Sequence, residues 1–191
     1  MRSVYEASEE DTNRAVAAAK TAQPAWAALT AEDRGVYFKK LASLIREHND
    51  ELATLEALSM GIPKSQYFHA FACASVFDHY AEAGYTMQGS TSLNTPGYIN
   101  MTLRQPYGVV AAIIPWNVPL LFFANKVAPA LTVGNTVVLK SSEKAPLTVS
   151  QFFRYWIAVG GTDSYQVCQS RCIDQGSWLP ARCHQHNYWI W

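Results

Sequence analysis

Two short groups of residues in this sequence have the chemistry and the placement of a ligand site. Trp116 and Asn117 follow Pro115, and Lys140 and Glu143 stand at the end of a later apolar run. An amide, an ammonium and a carboxylate are all groups that orient a polar ligand. Ligands of open parallel sheets bind beyond the carboxyl ends of the strands, and both groups fall at such ends. Spacing alone leaves a plainer use open for each. Asn117 after Pro-Trp also suits an Asx turn. Lys140 and Glu143 also suit an exposed i,i+3 ion pair worth a few tenths of a kcal/mol.

The elements that must hold these groups are readable from Gly108 to Glu143. Gly108 to Ile114 is a short, apolar, β-branched run of the kind expected for a strand buried on both faces. Pro115 ends it, because proline cannot sit in a central strand. Leu120, Leu121, Ala124, Lys126 and Val127 lie on a helix that Pro129 is expected to kink or split. Gly134 is a helix stop, and Thr136 to Leu139 is a second short strand. Strand, helix and strand in this order predict one βαβ unit.

Upstream the pattern is helical. Ser8 to Leu29 reads as a helix with Asp11 near its cap, Ala15, Val16 and Ala19 on its buried side, and a bend or end at Pro24. Thr30 to Asp33 resembles a helix start, followed by Tyr37, Phe38, Leu41, Leu44, Ile45 and His48 at helical spacing. Leu52, Leu55 and Leu58 continue to the stop at Gly61-Ile62-Pro63. Ser65 is expected to cap a further helix through Phe68, Phe71, Ala72, Val76, Phe77 and Tyr80. Its aromatic stripe reads as core and Cys73 as a buried apolar residue. His48, His69 and His79 have no partners at metal-ligand spacing. From Tyr98 to Arg104 apolar and polar residues alternate, which predicts a strand with one buried face outside the parallel sheet. The open edge of such an arm is a candidate contact between subunits.

At 49% hydrophobic, the 191 residues can bury one sizeable core. A net charge of +0 gives no electrostatic case for nucleic acid or an anionic membrane. Pro115, Asn117, Pro119, Asn125, Lys126 and Pro129 break the one long apolar stretch, which argues against a membrane span. The acidic start is unlike a signal peptide, and four cysteines, three bunched near the end, are unlike a disulfide scaffold. The cytoplasm is the expected location.

Near Phe152 the composition changes. Four of the six tryptophans, Trp156, Trp178, Trp189 and Trp191, lie beyond that point, and no period is evident there. Residues 1–150 are therefore expected to form the domain. Residues 151–191 are expected to be a divergent, poorly ordered tail, attributed to a frame change or a mispredicted splice. Cys168, Cys172, Cys183, His184 and His186 fit no zinc spacing, so no metal is expected.

Pro115-Trp116-Asn117, Ala128-Pro129-Ala130-Leu131, Gly134-Asn135-Thr136-Val137-Val138, Lys140 and Glu143 together resemble the aldehyde dehydrogenase superfamily. Arg104-Gln-Pro106-Tyr-Gly108-Val109 resembles the family's approach to the same strand. Leu55-Glu56 followed by Gly61-Ile62-Pro63 resembles its Glu…Gly-Lys-Pro turn, with Ile62 where lysine is usual. The resemblance runs from about Tyr5 to about Val149. It implies an α/β fold: an incomplete Rossmann-like cofactor-binding domain with an N-terminal helical layer and a β-arm strand.

The resemblance also implies a chemistry. In the family a cysteine thiolate attacks an aldehyde, hydride leaves for NAD(P), and water releases the acid. Asn117 matches the asparagine whose amide stabilises the oxyanion; one such donor is typically worth ~3 kcal/mol. Lys140 and Glu143 match the pair that binds the adenosine ribose. A carboxylate there repels a 2′-phosphate, so NAD is expected over NADP. Ile113, Ile114, Pro115 and Trp116 match the lining of the cofactor cleft, and Lys126 matches a packing or orienting residue. The phosphate loop, the general base and the context of the nucleophile have no counterpart. The alternative is a non-catalytic fragment that binds nucleotide weakly or pairs with full-length subunits.

Overall fold

The computed structural model describes residues 7–160 and the backbone of residues 165–167. Helix α1, Glu9–Ala28, begins with a capping box. Ser8 Oγ accepts from the Asp11 amide, and the Asp11 carboxylate accepts from the Ser8 amide. Ser8 is thus the cap, and Asp11 completes the box. Thr30 and Asp33 repeat the device at α2, Ala31–Glu47. Helix α3, Asn49–Met60, stops at Gly61, whose φ of 76° is the left-handed conformation that glycine adopts without penalty.

Pro24 does not end α1; the helix runs on to Ala28. Pro129 likewise lies inside one continuous helix. Each proline frees the carbonyl four residues back, and those residues, Lys20 and Asn125, are exposed. Water can satisfy the freed groups. The end of α1 is anchored by Trp26, which is buried and donates from Nε1 to Leu131 O at 2.9 Å.

Ser65 belongs to a short 3-10 turn at Lys64–Gln66, and helix α4 begins later, His69–Ala83. Its buried face is His69, Ala70, Cys73, Ala74, Phe77 and Ala81. Phe68 and Phe71 are exposed, so the expected aromatic core stripe narrows to Phe77, with Tyr80 partly buried against the core. Helices α2 and α4 approach closely at Gly35, where a Cβ would stand 2.5 Å from Ala81 O.

Strands β1, Thr91–Ser92, and β2, Asn100–Met101, form a small antiparallel sheet apart from the main one. Strand β3, Val109–Ile113, helix α5, Pro119–Thr132, and strand β4, Thr136–Lys140, form the predicted βαβ unit, with β3 and β4 parallel. Strand β5, Tyr165–Val167, pairs parallel to β4 on its other side. Among the described residues this order, β3-β4-β5, makes β4 central and β3 an edge. The expectation that β3 is buried on both faces therefore fails: Ala112 is its one buried residue and Ile113 is 67% exposed. The arm differs too, because Ile99, Met101 and Leu103 are all exposed.

Helix α6, Leu147–Ala158, crosses the boundary expected at residue 150. Val149, Phe152, Phe153, Tyr155 and Trp156 pack into the core. Trp156 meets Trp26 edge-on at 5.8 Å, and Phe152 lies 4.2 Å from Phe123. Fully burying a phenylalanine such as Phe38, Phe77, Phe123 or Phe152 contributes about 1.5–3 kcal/mol before chain entropy is counted. The core thus joins α1, α2, α4, α5 and α6 beside the sheet.

Candidate active site

The two predicted groups meet because β3 and β4 are parallel and in register. Ile113 pairs with Lys140, and the Ile114 amide donates to Lys140 O at 3.0 Å. The chain therefore leaves both strands at one edge, carrying Pro115-Trp116-Asn117 on one side and Ser141-Ser142-Glu143 on the other. Lys144 Nζ lies 5.7 Å from the centre of the Trp116 ring and links the two sides. The opposite ends are fixed by Asn135, which accepts from the Gly108 amide at 3.0 Å and donates to Ala130 O at 3.1 Å. Gly134, with φ 89°, makes the turn between α5 and β4. Arg34 closes the same end, donating from Nε to Thr132 O at 3.0 Å and from Nη1 to Leu29 O at 2.6 Å.

At the carboxyl edge the side chains are open. Asn117 is exposed, and none of the described residues hydrogen-bonds its amide. The Asx turn left open by spacing is not formed, and the donor remains available. Lys140 and Glu143 do make the i,i+3 pair, at 4.0 Å, with Glu143 65% exposed. Lys140 also donates to Ser141 O at 3.4 Å. An ion pair this exposed contributes little to stability, so both groups can turn to a ligand at small cost. Ile113, Pro115 and Trp116 are exposed around the edge. Ile114 is not: it is buried in the core and supports the edge from beneath. Lys126 is exposed as well.

Behind this edge lies a buried polar cluster that periodicity did not single out. The Glu56 carboxylate on α3 is 0% exposed. Its Oε2 lies 2.6 Å from His69 Nδ1 on α4, and its Oε1 accepts from the Leu120 amide in the first turn of α5 at 3.3 Å. Tyr67 and Cys73 complete the surroundings. Burial first, and then the Glu56 charge, pushes both the Tyr67 hydroxyl and the Cys73 thiol upward. Cys73 is thereby held as an inert thiol, unsuited to nucleophilic attack. One signal was present in the sequence: Glu56 stands four residues after Leu52, on that leucine's buried face.

The aldehyde dehydrogenase family model matches residues 1–164. The chain belongs to the aldehyde dehydrogenase family. It is 40% identical over 161 residues to aldehyde dehydrogenase family 2 member B4, mitochondrial, of Arabidopsis thaliana, covering 82% of this chain and 30% of that protein. Among solved structures it resembles PnpE in complex with nicotinamide adenine dinucleotide, with 40% identity and a TM-score of 0.78 over 82% of this chain and 33% of PnpE. It also resembles an NADP-dependent enzyme of E. coli, with 33% identity and a TM-score of 0.77 over 82% of this chain and 33% of the other. The chain thus spans about a third of the length of these relatives. The family match extends past Val149, where the resemblance was expected to stop, and takes in the whole of α6.

No helix among the described residues is long and apolar enough to cross a membrane. Nor do the described residues bring together three or more potential metal ligands. Cys168, Cys172, Cys183, His184 and His186 lie outside the described residues, as does the greater part of the expected 151–191 tail.

Proposed function

We propose that this chain supplies the adenosine-binding edge and the oxyanion donor of an aldehyde-oxidising active site that uses a nicotinamide dinucleotide. The observation that carries this reading is the β3–β4 register. It gathers Asn117, Trp116, Lys140 and Glu143 at the carboxyl edge of a parallel sheet, where such folds bind ligands.

The residues present fit the cofactor. Glu143 offers an exposed carboxylate to vicinal hydroxyls, Lys140 stands beside it, and Ile113, Pro115 and Trp116 give apolar surface. Ile114 backs that surface from the core. The nicotinamide, when bound, is the hydride acceptor. Asn117 would donate its amide N–H to the oxygen of the attacked aldehyde as negative charge develops there. A neutral amide already placed at a strand end needs no reorganisation to do so. Glu143 favours NAD over NADP by repelling a 2′-phosphate. Residence in the cytoplasm belongs to the same reading, although the Arabidopsis relative is named as mitochondrial.

A second reading rests on the open surfaces. Strand β3 is an edge, and Ile99, Met101 and Leu103 of the arm are exposed. The chain would then act as a non-catalytic partner that binds nucleotide weakly or pairs with full-length subunits through residues 98–104. Cys73, the one cysteine among the described residues, is buried and unsuited to nucleophilic attack, in keeping with this view.

Titration of the 191-residue chain with NAD, followed by amide NMR, tests the site. Shifts confined to Ile113–Asn117 and Lys140–Lys144, and weakened by Glu143→Ala, are expected. Shifts elsewhere only would remove the assignment. With NAD and a simple aldehyde, no turnover by this chain is expected; turnover abolished by Asn117→Ala would instead make it a complete catalyst.

A further inference from the structure

Helix α5 starts without a cap of its own. Val118 precedes it and no side chain of the local sequence accepts from its first amides. The first-turn amides of a helix have no partner within the helix. Here the Leu120 amide is met by Glu56 Oε1, from a helix 64 positions away in sequence. The other carboxylate oxygen is held by His69 at 2.6 Å. His69 is itself buried on α4, so α3, α4 and α5 are tied at one point. Leu120 follows Asn117 by three residues, with Pro119 buried between them. Whatever fixes the first turn of α5 therefore fixes the direction in which the Trp116-Asn117 segment leaves the sheet.

We propose that Glu56, oriented by His69, is a positioning residue that sets Asn117 by serving as the distant N-cap of α5. Three features support a placed carboxyl group rather than a stray one. The group has two polar partners, on two different elements. It is fully buried, where an unpartnered carboxylate would be costly. It stands at a helix N-terminus, where the peptide dipoles favour negative charge. The bond to Leu120 and the bond to His69 use different oxygens, so the histidine fixes the carboxylate's rotation without competing for the amide. The catalytic meaning of this device rests on the reading of Asn117 as oxyanion donor. The mechanical claim does not.

The test uses hydrogen exchange and NMR on the 191-residue chain. Three variants are compared with wild type: Glu56→Gln, which keeps an acceptor oxygen; Glu56→Leu, which fills the space without one; and Glu56→Asp, which draws the carboxylate back by one methylene. Glu56→Leu is expected to speed exchange of the Leu120 amide about tenfold or more. The Val137 and Leu139 amides of β4 should stay protected, and the Asn117 side-chain amide resonance should move. Glu56→Gln should restore most of the Leu120 protection and return the Asn117 resonance toward its wild-type position. Exchange at Leu120 that rises only in step with Val137 and Leu139 would overturn the proposal, as would an Asn117 resonance that stays in place. If Glu56→Leu yields no folded protein, the same two readouts on Glu56→Asp decide in the same way. Neither readout depends on turnover. A failed catalytic role for Asn117 would leave these outcomes intact, and a failed anchor would show here whatever Asn117 does in catalysis.

Discussion

Glu56–His69 and Lys140–Glu143 each pair a carboxylate with a potential cation, and they lie at the two ends of the scale of exposure. Glu56 is 0% exposed, 2.6 Å from its histidine, and has a backbone amide on its second oxygen. Glu143 is 65% exposed and 4.0 Å from its lysine. The buried carboxylate has every incentive to stay where it is, since leaving either partner would strand a desolvated acceptor. The exposed one trades its lysine for water at almost no cost. The same chemistry thus does opposite jobs. One pair ties three helices at a buried point; the other leaves its groups open to solvent. Stability and binding should therefore separate cleanly under mutation.

The largest effect should come from cutting the buried pair. His69→Ala removes one of the two partners of the buried Glu56 carboxyl and is expected to cost about 3 kcal/mol. Equilibrium urea unfolding measures this; a change in the range of ordinary surface substitutions would mean that the pair is not the anchor its geometry implies. Next comes the packing that seats α4, the helix that carries His69. Gly35 faces Ala81 O at 2.5 Å from the position of an added Cβ, and backbone cannot move aside as a flexible side chain can. Gly35→Ala is expected to cost about 1–3 kcal/mol by forcing α2 and α4 apart. A melting temperature equal to wild type would show that the two helices slide without penalty and that α4 does not hold His69 rigidly.

The contrast also marks what could be read in advance. The unit β3-α5-β4 was legible because its signals are local: β-branched runs, a proline stop and Gly134 lie within a few residues of the elements they bound. The edge position of β3 was not, because neighbours on a sheet are set by topology rather than by the strand's own residues. The continuity of α1 and α5 through their prolines was not legible for a related reason. Local sequence reports the lost hydrogen bond, but not that Lys20 and Asn125, whose carbonyls are freed, lie at exposed positions. The aromatic residues of α6 lay so densely that Phe152, Phe153, Tyr155 and Trp156 obscured the helical period they carry. Glu56 was legible only as part of a family-like turn. Its partners, 13 and 64 positions away, come together through tertiary packing.

The smallest expected effect is at the exposed pair, and it sharpens the comparison most. Glu143→Gln removes the charge but keeps the shape of the side chain. At 4.0 Å and 65% exposure, the lost attraction to Lys140 should change unfolding stability by less than about 0.5 kcal/mol. Binding should respond differently, because the neutral amide no longer repels a 2′-phosphate. Titrations with NAD and with NADP are therefore expected to draw closer in affinity in Glu143→Gln than in wild type, chiefly through a gain for NADP. If instead both affinities are untouched while stability falls, Glu143 serves the fold and not the ligand. The two carboxylates would then differ in degree of burial alone, and the exposed edge would lose its best claim to be a dinucleotide site.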